Sequence, residues 1–306
     1  MTPLLVLSEQ DVLELLDLDG CVAAMEEALA SLQRGEVHMP LRPVVRPPGE
    51  THLLGLMPVY RGGERPLYAL KTVAVVPANP ARGLDAHQGT VTLFDGVTGR
   101  TLAVMNASPV TAVRTAAVTA VATRLLARGD ARELAIVGAG VQARSHLRAL
   151  PGFERVRVAS RTCEHAQALA AEAGAVACAS VEEAVRGADV VVVATSSPEP
   201  VLRREWLKEG AHVNAVGMGR ELDDATLREG TLVVDRRESA EVEGKIDGAW
   251  IDAELGEIVV GQRPGRTSPK ELTVFRSLGV AVEDLFAAEY LVRRARETGR
   301  GETVEF

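Results

Sequence analysis

The sequence predicts an α/β protein in which a doubly wound parallel sheet is joined to a second domain of different texture. Three observations predict it. An apolar run ending at Val137 stops at Gly138-Ala139-Gly140 and is followed by helix-forming residues. From Glu133 onward, apolar strand-like runs alternate with helical segments, the pattern of a parallel sheet buried on both faces. Before about residue 107 that alternation is missing, and Gly and Pro separate short β-like runs instead. A length of 306 residues suits about two domains. A hydrophobic fraction of 46% is ample for a core in each, and an aromatic fraction of 3% points to layers closely packed through small side chains.

Taken in order, Ser8-Glu9-Gln10-Asp11 has the composition of a cap for a first helix. A second helix is expected from about Gly20 to Gln33, with Ala23, Ala24, Ala28 and Leu29 as its apolar stripe. The runs 44–45, 53–57, 68–76 and 89–94 are expected to form an antiparallel sheet. Asp95-Gly96 and Thr98-Gly99 supply turn chemistry before a strand at 101–105. Ser108 as N-cap and Pro109 at the first helical position open a long Ala-rich helix that runs to Gly129 and bridges the domains. Strands follow at 133–137, 155–159, near Val176, and at 189–194, 211–216 and 231–235, with helices between them. Ser180 to Glu183 has the form of a capping box. The tail from about Thr273 reads as an amphipathic helix.

The composition also excludes some functions. A net charge of −8 argues against nucleic acid as a partner. Cys21, Cys163 and Cys178 have no metal or redox spacing and read as thiols in a reducing compartment. The N-terminus has no basic region ahead of its apolar residues, and no apolar run is long enough to span a membrane. A soluble, cytoplasmic protein is expected.

In a doubly wound sheet, ligands sit at the carboxyl ends of the strands. The segment 134–143 is a dinucleotide fingerprint in strand–turn–helix context. Gly138 permits the tight turn, Gly140 lets the backbone approach a pyrophosphate, and Ala143 is the small residue where helix packs on strand. The phosphates would rest on free amides at the helix start, around Val141 and Gln142. The second strand ends in Ser160-Arg161-Thr162, where an NAD enzyme usually carries an acid for the ribose hydroxyls. Arg161 suits a 2′-phosphate, so NADP(H) is the expected cofactor and NAD(H) the alternative. Thr195, Ser196 and Ser197 follow the fourth strand, either lining the cofactor or filling a loop. Val216-Gly217-Met218-Gly219 follows the fifth strand at the depth expected for the nicotinamide, with no acid or base.

The first domain holds the charged candidates. Lys71 lies inside the apolar run 67–76, where burying an ammonium is costly. Either it points out of an edge strand, or it lines a cavity, meets a carboxylate and donates a proton. Arg42 sits between prolines in 39–43. Arg114 is a lone charge in an Ala-rich helix and either snorkels or faces a ligand. His87-Gln88 reads as loop polar residues or as contacts to substrate or cofactor.

In this order these segments resemble the ornithine cyclodeaminase/mu-crystallin family over nearly the whole chain. The marks are Gly55-Leu-Met-Pro-Val-Tyr60, the Lys71 strand, Ala86-His-Gln-Gly-Thr-Val91, and the segments 102–105, 114–117, 138–143, 160–162 and 187–190. Further marks are 214–217, 253–257, Thr273-Val-Phe-Arg-Ser-Leu-Gly279 and Val282-Glu-Asp284. The mu-crystallin branch is the closer, in the Ser-Arg-Thr segment especially. The resemblance implies a Rossmann dinucleotide domain at 116–279 and an α/β substrate-binding and dimerisation domain at 1–115, completed by about 280–306. It implies a homodimer and NAD(P)-linked chemistry at a carbon–nitrogen bond of a small carboxylate-bearing imine or amino acid. By match, Arg42, Lys71 and Arg114 hold the substrate carboxylate, Lys71 doubles as proton donor, and Ser277 reaches into the pocket. His87, Arg114 and Thr115 are expected to join the cofactor site with Gly138, Gly140, Val141 and Gln142. Ser160, Arg161, Thr162, Thr195 and Val216 complete it.

One departure matters. The family's ornithine cyclodeaminases place a catalytic Asp shortly after the Gly of the fifth-strand loop, ahead of an extended loop and a Glu-Leu pair. Here Gly219 stands at that place, and Arg220 leads straight into Glu221-Leu222. The leading expectation is therefore a reductase of cyclic ketimines or imino acids. The alternatives are amino-acid deamination of the alanine dehydrogenase or ornithine cyclodeaminase kind, and a cofactor-dependent small-molecule binding protein without catalysis.

Overall fold

The structure, a computed structural model, describes residues 3–305. It divides into two compact units, Met1–Arg114 with Val280–Phe306, and Thr115–Gly279. The first opens with strand β1 (Leu4–Leu7), for which the sequence carried no expectation. Helix α1 (Glu9–Leu15) follows a full capping box: the Ser8 hydroxyl accepts from the Asp11 N–H, and the Asp11 carboxylate accepts from the Ser8 N–H. Helix α2 (Leu18–Gln33) starts two residues before the expected Gly20 because Asp17 caps it. Its buried face is Cys21, Met25, Ala28 and Leu29; Ala23, expected in that stripe, is exposed.

Strands β2 (Val37–His38), β3 (Val44–Val45), β4 (Leu53–Arg61), β5 (Leu67–Val75), β6 (His87–Asp95) and β7 (Thr101–Asn106) follow. β4 to β7 form an antiparallel meander in register, with Met57, Lys71 and Val91 side by side across β4, β5 and β6. The sheet is mixed rather than antiparallel, because β1 pairs parallel to β7. The long helix α3 (Ala107–Leu126) begins one residue before Ser108. The side chain of Asn106 accepts from the Ser108 N–H and so takes the capping role expected of Ser108. The Ser108 hydroxyl instead donates to Asp85. The helix stops short of Gly129, and the boundary between the units falls within it.

The second unit alternates strand and helix: β8 (Glu133–Val137), α4 (Val141–Ala149), β9 (Arg155–Ala159), α5 (Cys163–Ala173), β10 (Val176–Ala177), α6 (Val181–Val185), β11 (Val190–Val193) and β12 (His212–Ala215). Then come α7 (Asp224–Glu229), β13 (Thr231–Val234), α8 (Arg237–Val242), β14 (Ile251–Glu254), α9 (Leu255–Val259) and β15 (Thr273–Arg276). All eight strands are parallel, in the order β10-β9-β8-β11-β12-β15-β13-β14. This is a doubly wound sheet with one rearrangement: Thr273–Arg276, expected as helix, is a strand inserted between β12 and β13. The four valines of β11 and the residues of β8 beyond Glu133 are buried, as two helix-covered faces require. Ser180 caps α6 through the Glu183 N–H, but the Glu183 carboxylate accepts from Ala179 rather than closing the box on Ser180.

Helix α10 (Ala281–Thr298) and strand β16 (Glu302–Val304) complete the first unit. Its sheet order is β16-β1-β7-β6-β5-β4-β2, with β3 also on β4. α10 lies against α2 and across β4, β5 and β6, so it covers the centre of the sheet. Its first turn is wholly buried, Glu283 and Asp284 included. No helix among the described residues is long and apolar enough to cross a membrane.

Candidate active site

Lys71 sits on β5, which is flanked on both sides by β4 and β6; it is not on an edge strand. Along β5 burial alternates, and Leu67, Ala69 and Lys71 share the inward face. Lys71 is 3% exposed. A lone ammonium in that position would lose its hydration without replacement. Asp284, from the first turn of α10, supplies the replacement: its two carboxylate oxygens lie 3.0 and 2.9 Å from Lys71 Nζ. Arg114 joins the same carboxylate, with Nε 3.2 Å from Asp284 Oδ1, and its Nη1 donates to Glu283 at 2.5 Å. Two cations and two carboxylates thus form one buried network.

Burial pushes the Lys71 pKa down to about 8; the charges of Arg114 and Arg42 push the same way, and Asp284 only partly opposes them. Arg42 is half-buried and close enough to act on Lys71. His87 is exposed, yet enough atoms surround its ring to disfavour the imidazolium, and the Lys71 ammonium adds to this, so its pKa lies below the ordinary value. The structure therefore brings Arg42, Lys71, His87 and Arg114 together in the first unit. Chemically, such a group can bind a carboxylate through its cations and exchange a proton near neutral pH. Asp284 and Glu283 had no role assigned from sequence. Two adjacent acids at the start of a helix ordinarily complement its dipole, and only their burial on β5 distinguishes them.

In the second unit, Gly138, Ser160, Thr195 and Val216 stand just past the carboxyl ends of the neighbouring strands β8, β9, β11 and β12. Gly138 has φ +121°, and a Cβ there would lie 2.3 Å from the Ala194 carbonyl oxygen, so no larger residue fits the turn. Gly140 takes the N-cap position of α4, no side chain caps that helix, and the space where its Cβ would project is open. Val141 is exposed at the first helical position, and Gln142 Oε1 is buried without a hydrogen-bond partner. Ala143 is fully buried against Leu134, Ile136 and Val158. An uncapped helix start with open room above it fits a dinucleotide phosphate. At the end of β9, the Ser160 hydroxyl donates to the Thr162 carbonyl at 2.6 Å, Arg161 is exposed, and Thr162 stands at the N-cap of α5 without capping it. Thr115 is buried on α3. Ser277 is buried in this unit, its hydroxyl donating to Asp235 at 3.2 Å and accepting from the Gly279 N–H.

The model of the ornithine cyclodeaminase/mu-crystallin family matches residues 3–299. The chain belongs to this family. It is 42% identical to ketimine reductase mu-crystallin of Mus musculus over 283 residues, which cover 88% of this chain and 90% of that protein. Among solved structures, it superposes on Thermococcus litoralis Δ1-pyrroline-2-carboxylate reductase in complex with NADH and L-proline with a TM-score of 0.91 and 34% identity, covering 98% of this chain and 100% of that one. It also matches an archaeal alanine dehydrogenase dimer with bound NAD, with a TM-score of 0.92 and 31% identity over the full length of both chains. The family thus includes a nicotinamide-dependent reductase of an imine, and the two structures named bind NADH and NAD.

Proposed function

We propose that this chain is an NADPH-dependent reductase of cyclic ketimine carboxylates of the pyrroline- and piperideine-2-carboxylate type, acting reversibly. The observation that carries this reading is the buried Lys71 held by Asp284, with its pKa pushed down to about 8. A lysine tuned so close to neutrality gives up a proton far more readily than an exposed one. Reducing a C=N bond requires one hydride at carbon and one proton at nitrogen. The nicotinamide, when bound, supplies the hydride. Lys71 supplies the proton and becomes a neutral amine stabilised by burial. Arg42 and Arg114 take the substrate carboxylate as charge-assisted donors. The first unit is the substrate-binding domain and the second binds the dinucleotide. The similar proteins named a ketimine reductase and a pyrroline-2-carboxylate reductase support the reading.

The test is a panel of cyclic imino acids and linear amino acids followed by NADPH absorbance. Cyclic imino acids are expected to turn over fastest. The likeness to alanine dehydrogenase favours a second reading, oxidative deamination of an amino acid, in which Lys71 works in reverse. Faster turnover of alanine than of any cyclic imine would select it. No turnover on any member of the panel would leave a binding protein.

The preference for NADPH rests on Ser160, Arg161 and Thr162, with the exposed Arg161 guanidinium taking the 2′-phosphate. Arg161→Ala is expected to cost about 1.5–3 kcal/mol of NADPH binding, roughly 10- to 150-fold in Kd, and to leave NADH binding nearly unchanged. Tighter binding of NADH than NADPH by the parent protein, measured by calorimetry, would overturn this preference.

The chain forms a homodimer through the outward face of the first sheet. Tyr68 is 47% exposed there and packs on Tyr60 with ring centroids 4.7 Å apart. With His38, Pro58, Leu70 and Phe94 these rings line a groove of about 490 Å³. An aromatic face of this kind suits a self-complementary two-fold contact. Light scattering at micromolar concentration should report a dimer, and Tyr68→Glu should shift it to monomer. A monomeric parent protein, or a Tyr68→Glu variant that stays fully dimeric, would contradict the assignment.

A further inference from the structure

The loop that follows β12 is held by two buried charges, Arg276 at the end of β15 and Glu221 from the loop's own second half. Arg276, the last residue of β15, is 5% exposed. Its guanidinium donates to the carbonyl of Ala215 at the end of β12, at 3.2 Å, and to two carbonyls of the loop, Gly217 at 2.5 Å and Gly219 at 2.8 Å. Glu221, 1% exposed, accepts from the Gly219 N–H at 3.1 Å and lies 3.4 Å from Arg276. Arg276 is thus satisfied by backbone carbonyls, while Glu221 ties the Gly219 amide through one oxygen and turns the other, which has no hydrogen bond, toward Arg276. The insertion of β15 between β12 and β13 places Arg276 in register with Ala215.

Steric contacts also close the loop in at its two glycines. A Cβ on Gly217 would lie 1.9 Å from Glu221 Oε1 and 2.1 Å from the Thr195 carbonyl oxygen. A Cβ on Gly219 would lie 1.9 Å from the Ser197 carbonyl oxygen. At Gly217 and Gly219 the loop after β12 therefore meets backbone carbonyls of the loop after β11 directly, with no room for a side chain at either position. In a doubly wound sheet the half beginning at the fourth strand receives the second nucleotide of a dinucleotide. Here that half begins with β11 and β12.

We propose that Arg276 and Glu221 are positioning residues that hold the backbone of residues 215–219, with glycine at 217 and 219, as a seat for the nicotinamide half of the cofactor. Gly219 is then required by the seat, and an acid cannot be installed at that position without breaking it. The inference rests on the cofactor reading given above. It makes hydride geometry a property of backbone fixed by a buried ion pair.

The experiment compares a whole dinucleotide with its adenine half by calorimetry. NADPH is paired with 2′,5′-ADP, and NADH with ADP, on the parent protein, Gly219→Ala, Arg276→Met, Arg276→Lys and Glu221→Gln. Gly219→Ala and Arg276→Met are expected to weaken both dinucleotides at least tenfold while the adenine halves bind within twofold of the parent. Arg276→Lys, which keeps a cation beneath the carbonyls, should recover most of the loss. Glu221→Gln, which keeps an acceptor for the Gly219 amide, should fall between. Equal weakening of dinucleotide and adenine half in the variants would mean general damage and would overturn the proposal. So would dinucleotide binding unchanged in Gly219→Ala and Arg276→Met. A parent protein that binds neither dinucleotide would remove the cofactor reading itself, a failure distinct from both.

Discussion

Lys71→Met is expected to lower kcat for imine reduction by roughly 10²–10⁴ while NADPH binds within twofold of the parent, since the thioether fills the same space and cannot give a proton. The parent enzyme should show the matching pH dependence. In the proposed reaction Lys71 acts as the ammonium, and its pKa is pushed down to about 8. The rate of reduction should therefore be flat below about pH 8 and fall about tenfold per pH unit above it. In the reverse direction the neutral amine is the base, so oxidation should rise through the same pH. Stopped-flow measurement of the first turnover in both directions checks the two limbs against each other. Equal kcat for Lys71→Met and the parent protein would remove Lys71 from the chemistry.

The second large effect is expected from Asp284. Its carboxylate serves Lys71 and Arg114 at once, and all three are buried. Asp284→Asn leaves two cations facing each other without their shared counter-charge. Breaking a buried pair from one side costs about 3–5 kcal/mol, which urea denaturation should register as a lower midpoint. Asp284 also favours the charged form of Lys71 by its negative charge and its hydrogen bond. Removing it lowers that pKa further, so the alkaline limb of the reduction profile should move below about pH 8. Both shifts are required. A stability loss with an unmoved limb would mean that Asp284 is structural and does not tune Lys71.

How much of this was legible in the sequence depends on the range of the forces involved. The parallel sheet was legible because buried strands such as Val190–Val193 cannot carry polar residues on either face. The turn after β8 was legible because Gly138 needs a backbone that other residues rarely adopt. Lys71 stood out as a charge in an apolar run, but its place on an interior strand came only with the pairing of β4 and β6 around β5. Its partner lies 213 residues further on, and no local pattern reports a contact of that range. Strand β15 escaped for a related reason. Thr273–Arg276 is only four residues long and precedes a strong amphipathic helix, so local reading extended the helix across it. The cap at Asn106 in place of Ser108 is a smaller instance, since two residues in one turn both had capping chemistry and backbone direction decided between them.

The loop after β12 carries the central proposal, that this chain reduces imines rather than cyclodeaminating a diamino acid. Cyclodeamination of a diamino acid needs a group to manage proton transfers during amine attack and ammonia loss. At Gly219, where the family's cyclodeaminases resemble one another in carrying an Asp, the Ser197 carbonyl oxygen leaves no room for a side chain. The most direct measurement runs two reactions side by side on the parent protein. In one, Δ1-pyrroline-2-carboxylate is supplied with NADPH and cofactor oxidation is followed. In the other, ornithine is supplied with catalytic NADP⁺ or NAD⁺, and proline and ammonia are quantified. The account predicts rapid NADPH oxidation in the first and no proline or ammonia above background in the second; robust proline and ammonia formation from ornithine, with no reduction of the imine, would contradict it.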